Sequence, residues 1–419
     1  MRNWAGNLLY SARGLVRPTS LDELADVLDT PGPVRALGSR HSFNDLADTP
    51  GVHVQVDRLD DGRPAVDLDA ATGVVSVNAA IRYGDLSRAL QLQGRALGNL
   101  ASLPHITVAG AVATATHGSG DANPSLASAV VGLEIMTTGG ELRRITRDGD
   151  PELFGGTVVS LGALGIVTRV ELATEPSFSV RQDVALDVPW ETVLDRFDDV
   201  TGAAYSVSLF TGWDEPAVRQ VWFKSVVERV DDGGTRPEPV PSLRWATSEV
   251  HPVPGVDTAA SSPQLGVPGP WNERLSHFRL EFTPSAGAEL QSEYLVPRHR
   301  AVEAIEAVRA LAPTVAPLLQ TSEIRTVAAD ELWMSPFGDP AVGLHFTWHP
   351  DGPGVAGVLP DLEEPLLALG ARPHWGKVFA LDPAEAGALY ARFGDFRALA
   401  ERFDPDGRLH GGYLGRLLG

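Results

Sequence analysis

Polar side chains occupy every second position in two short stretches of the sequence. Glu323 and Arg325 lie on either side of an isoleucine, and His345 and Thr347 lie on either side of a phenylalanine. Side chains two apart in a strand point to the same side of the sheet, so each stretch would present a polar pair to one surface and an apolar residue to a core. One such pair usually faces solvent. Two pairs in one cavity would supply a carboxylate, a cation and an imidazole for general acid–base chemistry.

Lys377 is a further candidate for this chemistry. It follows a glycine and lies between Trp375 and Phe379, an aromatic setting that is typical of a partly buried lysine. A base that works near neutral pH needs a pKa close to that pH. His345 is the preferred base because of its intrinsic basicity, whereas Lys377 could serve only if burial and Arg325 lowered its pKa.

A glycine-rich loop at residues 38–42 follows a short extended run. It contains Ser39, Arg40 and His41 between a glycine and a second serine. Small residues directly after a strand let consecutive backbone amides converge on an anion such as a pyrophosphate. Taken alone, the loop is more typical of a polar turn with a surface histidine.

Residues 110–120 form a second stretch of small side chains. Thr114, Thr116 and His117 are interspersed among its glycines and alanines. Such a run lets the backbone approach a neighbour closely. The neighbour could be a packed strand, but a buried ligand explains the hydroxyls and the imidazole equally well.

The elements that would position these residues are short strands and a few helices. Ser20 and Glu23 have the spacing of a capping box and predict a helix that runs through Leu28. The patterns further predict strands at 34–37, 52–56, 74–77 and 164–172, a helix at 83–93, and a hairpin within 130–145 that turns on the two residues 139–140. Up to about residue 175 this is an α+β pattern without repeating βα units.

The second half of the chain has a different texture. Residues 231–272 are rich in proline, which predicts an extended surface excursion. Alternating apolar and polar residues then predict strands at 278–282, 322–327 and 344–348, and apolar residues at helical spacing predict a helix at 298–312.

The composition restricts the partners and the compartment. The formal net charge is −20, so the surface should repel nucleic acid and anionic lipid. The chain has no cysteine, which removes thiolate nucleophiles, disulfides and thiolate metal sites. The first 20 residues contain no apolar stretch of signal-peptide length, and no stretch is long enough to span a membrane. We expect a cytoplasmic monomer with no metal site and no nucleic-acid or membrane partner.

The two glycine-rich stretches and many dispersed segments resemble the vanillyl-alcohol-oxidase type of FAD-binding flavoprotein, most closely its alditol oxidase and xylitol oxidase branch. The matching segments are 3–7, 38–44, 101–106, 110–120, 203–210, 282–285, 290–294, 323–326, 345–348 and 372–377. The resemblance implies a two-domain α+β fold. An FAD-binding domain would span 1–175, a substrate-binding cap domain with a large antiparallel sheet 176–380, and a return segment to the FAD domain 381–419. Residues 409–413 depart from the family's usual continuation.

The resemblance also implies that FAD is joined covalently to His41, because a neutral imidazole nitrogen can add at the flavin 8α-methyl carbon. Arg40 stands where some members have glycine, which adds a cation near the phosphates and should not impair the linkage. Ala101 would lie at the flavin edge where oxygen reacts, and its small side chain would leave oxygen a path. The other residues expected to contact FAD are Leu37, Gly38, Ser39, Arg40, Ser42, Ser102, Thr107, Gly110, Ala111, Val112, Ala113, Thr114, His117, Gly118, Ile166 and His374.

The substrate implied by the resemblance is an open-chain polyol such as xylitol or sorbitol, together with O2. Its terminal primary alcohol would be oxidised to an aldose by hydride transfer to flavin N5, and O2 would be reduced to H2O2. The expected catalytic residues are His345, Lys377, Arg325 and Glu323, and the expected substrate-binding residues are Ser102, Gln291, Glu323, Arg325, Thr347 and Lys377. A sugar-1,4-lactone oxidase or dehydrogenase of the same superfamily is the alternative, and a noncatalytic flavin-carrying or sugar-binding protein is a more distant one.

Overall fold

The computed structural model describes residues 1–227, 234–282 and 289–419. Residues 231–233 of the proline-rich stretch and residues 283–285 of the matching segment 282–285 lie outside these ranges. The strands up to residue 176 are β1 (Gly14–Val16), β2 (Val34–Ala36), β3 (Val52–Val54), β4 (Val66–Asp69), β5 (Val74–Asn78), β6 (Arg95–Ala96), β7 (Val130–Met136), β8 (Leu142–Thr146), β9 (Ile166–Ala173) and β10 (Glu175–Pro176). The later strands are β11 (Ser179–Pro189), β12 (Ser206–Thr211), β13 (Ala217–Val227), β14 (Arg244–Trp245), β15 (Gly269–Pro270), β16 (Leu290–Pro297), β17 (Leu319–Val327), β18 (Ala341–Trp348) and β19 (Arg372–Pro373).

The helices connect these strands and close the C-terminal end. They are α1 (Leu21–Asp29), α2 (Tyr83–Leu92), α3 (Val108–Ala113), α4 (Pro151–Val158), α5 (Trp190–Asp195), α6 (Phe197–Thr201), α7 (Ala301–Ala310), α8 (Ala312–Val315), α9 (Gly352–Ala368), α10 (Pro383–Ala388), α11 (Phe393–Phe403) and α12 (Gly412–Leu418). No helix in the described ranges is long and apolar enough to cross a membrane.

The first part of the chain is an α+β unit, as its sequence pattern predicts. Within the described residues, β1, β3 and β2 form a small parallel sheet, and β4, β5, β9, β7 and β8 form an antiparallel sheet in that order. The helix predicted at 83–93 is α2, and its buried leucines belong to the same hydrophobic core as residues of the antiparallel sheet. The domain boundaries at 175 and 380 stay predictions.

Two local details differ from the sequence expectations. The Ser20 hydroxyl accepts a hydrogen bond from the Glu23 amide as in a capping box, but the Glu23 carboxylate accepts from Thr19 instead of Ser20. The β7–β8 turn has three residues, 138–140, and not two, because the Thr137 amide donates to the Glu141 carbonyl. Gly140 has φ +75°, the left-handed conformation that the last residue of a three-residue hairpin loop adopts and that glycine allows.

A large antiparallel sheet dominates the second part of the chain. Its main path in the described residues runs β14-β11-β13-β12-β17-β18-β16-β19. The register of three neighbouring strands brings polar residues together in one row. Glu323 of β17 lies opposite His345 on β18, and His345 lies opposite Glu293 on β16. One row along, Thr347 lies between Gln291 and a threonine of β17. Because side chains alternate, both rows project from the same face of the sheet.

Two expectations for this part are wrong. Residues 278–282 alternate like a strand, but in the structure Phe278 makes one isolated bridge to Ser261 and the chain then turns. The proline-rich stretch up to residue 272 is not simply a surface excursion, because Ser261 and Trp271 are buried and His251 lines the central cavity. Prolines interrupt regular structure, yet an irregular segment can still fill an interior surface.

The C-terminal residues pack back on the first part of the chain. Within the described residues, the buried Arg35 guanidinium donates to backbone carbonyls, among them those of Leu46, Leu161 and Leu409. Leu409, the first of the divergent residues 409–413, thus accepts a hydrogen bond from Arg35 through its carbonyl oxygen. The Arg416 guanidinium of α12 also pairs with Asp45.

Candidate active site

A cavity of about 760 Å³ lies between the glycine-rich segments and the polar face of the large sheet. This volume falls within the range of roughly 300–1,000 Å³ that is usual for ligand pockets. The first part of the chain contributes the loop at 38–42, Ala101, Ser102 and much of 106–117. The second part contributes polar side chains of β16, β17 and β18 and the segment after β19. The two sets of candidate residues therefore border one space.

Gly38 and Gly110 form a close-packed wall of this cavity with Thr107. A Cβ at Gly38 would lie 2.5 Å from Thr107 Oγ1, and a Cβ at Gly110 would lie 2.9 Å from the same atom. Neither position can take a side chain without a shift of its neighbour. The Thr107 hydroxyl is itself buried without a hydrogen-bond partner in the described residues. A ligand with several acceptor oxygens, such as a nucleotide pyrophosphate, fits this small-residue surface.

His41 borders the cavity with an unusual lack of partners. Both ring nitrogens are buried, and neither has a hydrogen-bond partner within the described part of the chain. Buried side-chain polar atoms nearly always have one, so the ring indicates a place for ligand atoms. Trp4 stacks on the imidazole with ring centroids 4.9 Å apart. Burial lowers the pKa of His41 to about 4, and His105 adds to the shift, so the ring is neutral at pH 7.

Arg40 adopts a left-handed backbone conformation with φ +67°. This costs about 1–2 kcal/mol for a residue with a Cβ, while glycine at the same place loses about 0.5–1 kcal/mol through unfolded-state entropy. We therefore expect Arg40→Gly to change the free energy of unfolding by less than ~1 kcal/mol, whereas the β-branched Arg40→Val should destabilise by more than ~1 kcal/mol. Denaturant unfolding of both variants checks this. Equal destabilisation by glycine and valine would contradict it.

Glu293 is the centre of the ionic cluster on the sheet. Its Oε1 lies 2.6 Å from Arg325 Nη2 and 3.1 Å from His117 Nε2, and its Oε2 lies 3.3 Å from Lys377 Nζ. Burial alone would raise the pKa of Glu293, but Arg325, Lys377 and His117 together hold it well below its usual range. The carboxylate is thus ionised and holds two cations at the cavity wall.

The Gln291 amide joins the two candidate bases. Its nitrogen donates to Glu289 Oε1 at 2.5 Å, which leaves its oxygen as an acceptor. That oxygen lies 2.8 Å from Lys377 Nζ and 3.1 Å from His345 Nε2. His345 therefore carries a proton on Nε2, and its Nδ1 is the basic atom. Burial, and then Lys377, hold the pKa of His345 well below its usual value, so the ring is neutral. Burial also lowers the pKa of Lys377.

Glu323 and Ser102 complete the polar wall. Glu323 Oε1 accepts a 2.8 Å hydrogen bond from His277 Nε2 and lies 3.6 Å from Arg325 Nε. Burial opposes ionisation of Glu323, yet Arg325 and His277 hold its pKa well below its usual range. Arg325 Nη1 donates to Ser102 Oγ at 3.1 Å, which links the sheet to the first part of the chain.

Known proteins resemble this chain in both of its parts. A family model described as "FAD binding domain" matches residues 12–146, and one described as "D-arabinono-1,4-lactone oxidase" matches residues 288–417. An alditol oxidase of Streptomyces sp. is 48% identical over 421 aligned positions, which cover 99% of this chain and 98% of that protein. The chain belongs to the vanillyl-alcohol-oxidase-type flavoprotein family. Its cofactor is FAD, and it is an oxidoreductase of the class that acts on CH–OH groups with oxygen as acceptor.

More distant relatives of this flavoprotein carry lactone names. An L-gulono-1,4-lactone dehydrogenase of Mycobacterium tuberculosis is 28% identical over 100% of this chain and 98% of its own length. The L-gulonolactone oxidase of Mus musculus is 24% identical over 99% of this chain and 97% of its own length. The alditol oxidase is thus much more similar to this chain than these two lactone enzymes.

Most of the predicted site residues of this flavoprotein border the cavity. Those that do are Leu37, Gly38, Ser39, Arg40, His41, Ser42, Ala101, Ser102, Thr107, Gly110, Ala111, Ala113, Thr114, His117, Ile166, Gln291, Glu323, Arg325, His345, Thr347, His374 and Lys377. Two predicted FAD contacts lie elsewhere. The side chain of Val112, a residue of α3, is buried in the hydrophobic core. Gly118 is packed so closely that a Cβ there would lie 2.1 Å from Asn99 Oδ1.

Sequence reasoning missed several polar residues of the site, among them Glu289, Glu293 and His277. Glu293 and Glu289 alternate with Gln291 in the same period-two pattern that identified the other strands, so a signal for them was present. His277 lies in irregular chain, where no periodicity points to it.

A glycine motif of the G-x-G-x-x-G type is present at residues 352–357, at the start of α9, but it does not border the cavity. The Asp351 side chain accepts a hydrogen bond from the Gly354 amide there.

Proposed function

We propose that this flavoprotein is an alditol oxidase that oxidises the terminal primary alcohol of polyols such as xylitol and sorbitol to aldoses and reduces O2 to H2O2. We also propose that FAD is bound covalently through His41. The observation that carries the proposal is the wall of ionic and hydrogen-bonding side chains facing the glycine-rich segments across one cavity. Such a wall matches a string of hydroxyls better than an aromatic alcohol, because each buried polar group needs a partner.

The residues present fit FAD. The loop at 38–42, Thr107 and the small residues of α3 would hold its phosphates and ring system, and the orphaned nitrogens of His41 would meet the flavin. When bound, FAD would supply the hydride acceptor and pass the electrons to O2. Ala101 borders the cavity with a small side chain, which agrees with its proposed place beside the oxygen path.

The chain's own residues would bind the polyol and move its proton. The proposed base for the hydroxyl is either His345, which is neutral with Nδ1 unprotonated, or Lys377, whose pKa is lowered by burial and by Arg325. Arg325 and Lys377 would stabilise negative charge that develops on the substrate oxygen. Glu323, Gln291, Ser102 and Thr347 would supply acceptors and donors for the remaining hydroxyls.

A substrate panel in a peroxide-coupled assay tests the proposal. Xylitol and sorbitol should support rapid H2O2 formation, and analogues that lack an interior hydroxyl should have kcat/KM lower by about 10²-fold or more. The lactone oxidase remains the second candidate because its family model matches residues 288–417. Faster turnover of a sugar-1,4-lactone than of every alditol would replace the first proposal by the second. Binding without anaerobic flavin bleaching would indicate a noncatalytic protein.

His41→Ala should abolish the covalent adduct. A neutral, partnerless imidazole is the proposed nucleophile, and alanine cannot form the bond. Denaturing intact-mass measurement should show the polypeptide plus one FAD for the unaltered protein and the bare polypeptide for the variant. His105→Ala is the matched control, because His105 lies outside the cavity and binds the Leu280 carbonyl. An adduct that survives in His41→Ala would refute the assignment.

The remaining expectations concern assembly and location. We propose a cytoplasmic monomer whose partners are a small polyol and O2. The acidic net charge of −20 supports the absence of nucleic-acid binding. Sedimentation at several protein concentrations tests the monomer, and cell fractionation tests the location.

A further inference from the structure

A buried lysine–histidine pair lies behind the Glu323 carboxylate, and the proposed mechanism does not use it. Lys224 is on β13 and is 1% exposed. Its Nζ lies 2.5 Å from the Leu275 carbonyl oxygen, 3.2 Å from that of Ser276 and 3.1 Å from His277 Nδ1. His277 Nε2 then lies 2.8 Å from Glu323 Oε1. A continuous line of polar contacts therefore runs from the ammonium through the imidazole to the carboxylate.

The His277 ring is held firmly in this line. Phe210 and Trp222 pack against it edge to face, with centroids 5.5 Å and 5.3 Å away. The His277 amide also donates to the Ser102 carbonyl at 3.2 Å. Because packing fixes the ring's place, the variable that remains is which ring nitrogen carries the proton.

The contacts of Lys224 decide that question. An ammonium has three N–H donors and no acceptor, so His277 Nδ1 must accept from it. The neutral ring then carries its proton on Nε2 and donates to Glu323. Burial lowers the pKa of His277 to about 4, and Lys224 adds to the shift, which keeps the ring neutral. Burial lowers the pKa of Lys224 to about 7 although the Glu323 charge opposes this shift, so Lys224 is mainly the ammonium at pH 6 and below.

The opposite tautomer would damage the site. With its proton on Nδ1, His277 would turn an Nε2 lone pair toward the Glu323 carboxylate, and the buried charge would lose its hydrogen bond. In the observed arrangement Oε1 is engaged by His277 and Arg325. No hydrogen-bond donor from the described ranges reaches Oε2, so this oxygen is left to accept a substrate hydroxyl.

We propose that Lys224 and His277 are positioning residues for Glu323: the ammonium fixes His277 in the tautomer that donates to Oε1, and this holds the carboxylate ionised with Oε2 directed to the substrate. The inference rests on the proposed polyol site, because it assigns Glu323 Oε2 to a substrate hydroxyl. Neither residue is assigned a direct contact with the substrate. Their effect reaches it through one carboxylate.

A double-mutant cycle tests the proposal. His277→Gln keeps an N–H donor toward Glu323 and cannot tautomerise, whereas His277→Leu removes the donor. We expect kcat/KM for xylitol to fall less than ~5-fold in His277→Gln and about 10- to 100-fold in His277→Leu, mainly through KM. Lys224→Met should lower kcat/KM about 10-fold alone but less than ~3-fold in the His277→Gln background. Equal effects of Lys224→Met in both backgrounds would overturn the proposal.

One comparison of variants and one further measurement test the proposal even if a variant does not fold. If Lys224→Met does not fold, the His277 pair decides alone, since equal losses in His277→Gln and His277→Leu exclude a positioning role. Nitrogen-15 NMR of the labelled holoenzyme at pH 6, assigned with His277→Gln, should show His277 protonated at Nε2 only. A proton on Nδ1 would overturn the tautomer assignment whatever the substrate is. A protein that oxidises no alditol but shows this signature refutes the proposed function and leaves the tautomer assignment intact.

Discussion

Lys377→Met should lower kcat for polyols by about 10²–10³-fold and leave FAD in place. The ammonium lies 2.8 Å from Gln291 Oε1 and 3.3 Å from Glu293 Oε2 at the cavity wall, where it can donate to a substrate oxygen. Removal of one preorganised donor to a developing oxyanion commonly costs that much. Steady-state kinetics with xylitol, flavin absorbance and intact mass check the result.

The balance between kcat and KM separates two roles of Lys377. A loss confined to kcat means that the ammonium acts in the transition state, whereas a rise in KM alone means that it only binds the polyol. Lys377→Arg is the matched control, because it retains charge beside Glu293 but cannot place it at the same point. We expect an intermediate loss for arginine. Turnover by Lys377→Met that equals that of the unaltered protein would refute its role.

The residues of the active site differ in how far local pattern predicts them. Glu323, Arg325, His345 and Thr347 could be placed on one surface because strand alternation is a property of a few consecutive residues. Strand order is not local. The meeting of Glu323, His345 and Glu293 in one row depends on β17, β18 and β16 being neighbours, and the sequence pattern does not specify this pairing.

Irregular segments account for the other places where the structure differs from the sequence predictions. Residues 278–282 alternate as well as a true strand does, but they lack a neighbouring strand in the described structure and form one bridge only. His277 lies next to this segment, fixed by tertiary contacts with Ser102 and Lys224 and by no local period. Tertiary contacts therefore override the local preference for a strand in this irregular part of the cavity wall.

Glu293→Gln should have the largest effect on stability. Its carboxylate is the close counter-charge of Arg325 at 2.6 Å and of Lys377 at 3.3 Å, and the exposed fraction of Glu293 is 2%. A neutral amide of the same shape leaves these two buried cations poorly compensated. Removal of one partner from a buried ion pair costs about 3–5 kcal/mol. We expect a loss of that size in the free energy of unfolding at pH 7, measured by denaturant titration of the FAD-loaded proteins.

Glu289→Gln is the matched control for this effect. Glu289 is also a buried carboxylate and lies directly before β16, but its hydrogen-bond partner in the described residues is one amide, that of Gln291, so its replacement should cost about 1 kcal/mol. A loss for Glu293→Gln no larger than for Glu289→Gln would show that the ionic cluster adds little to stability.

The pH dependence of this difference provides an independent check. The folded state holds the pKa of Glu293 well below its usual range, so its ionisation contributes stability above the unfolded pKa of about 4.3. That contribution is lost as the pH falls from there through the folded pKa, because the unfolded carboxylate binds its proton first. The gap in stability between the unaltered protein and Glu293→Gln should therefore narrow below about pH 4. A gap that does not change on acidification would mean that shape rather than charge makes Glu293 necessary, and a gap that widens would mean that folding raises the pKa of Glu293 instead of lowering it.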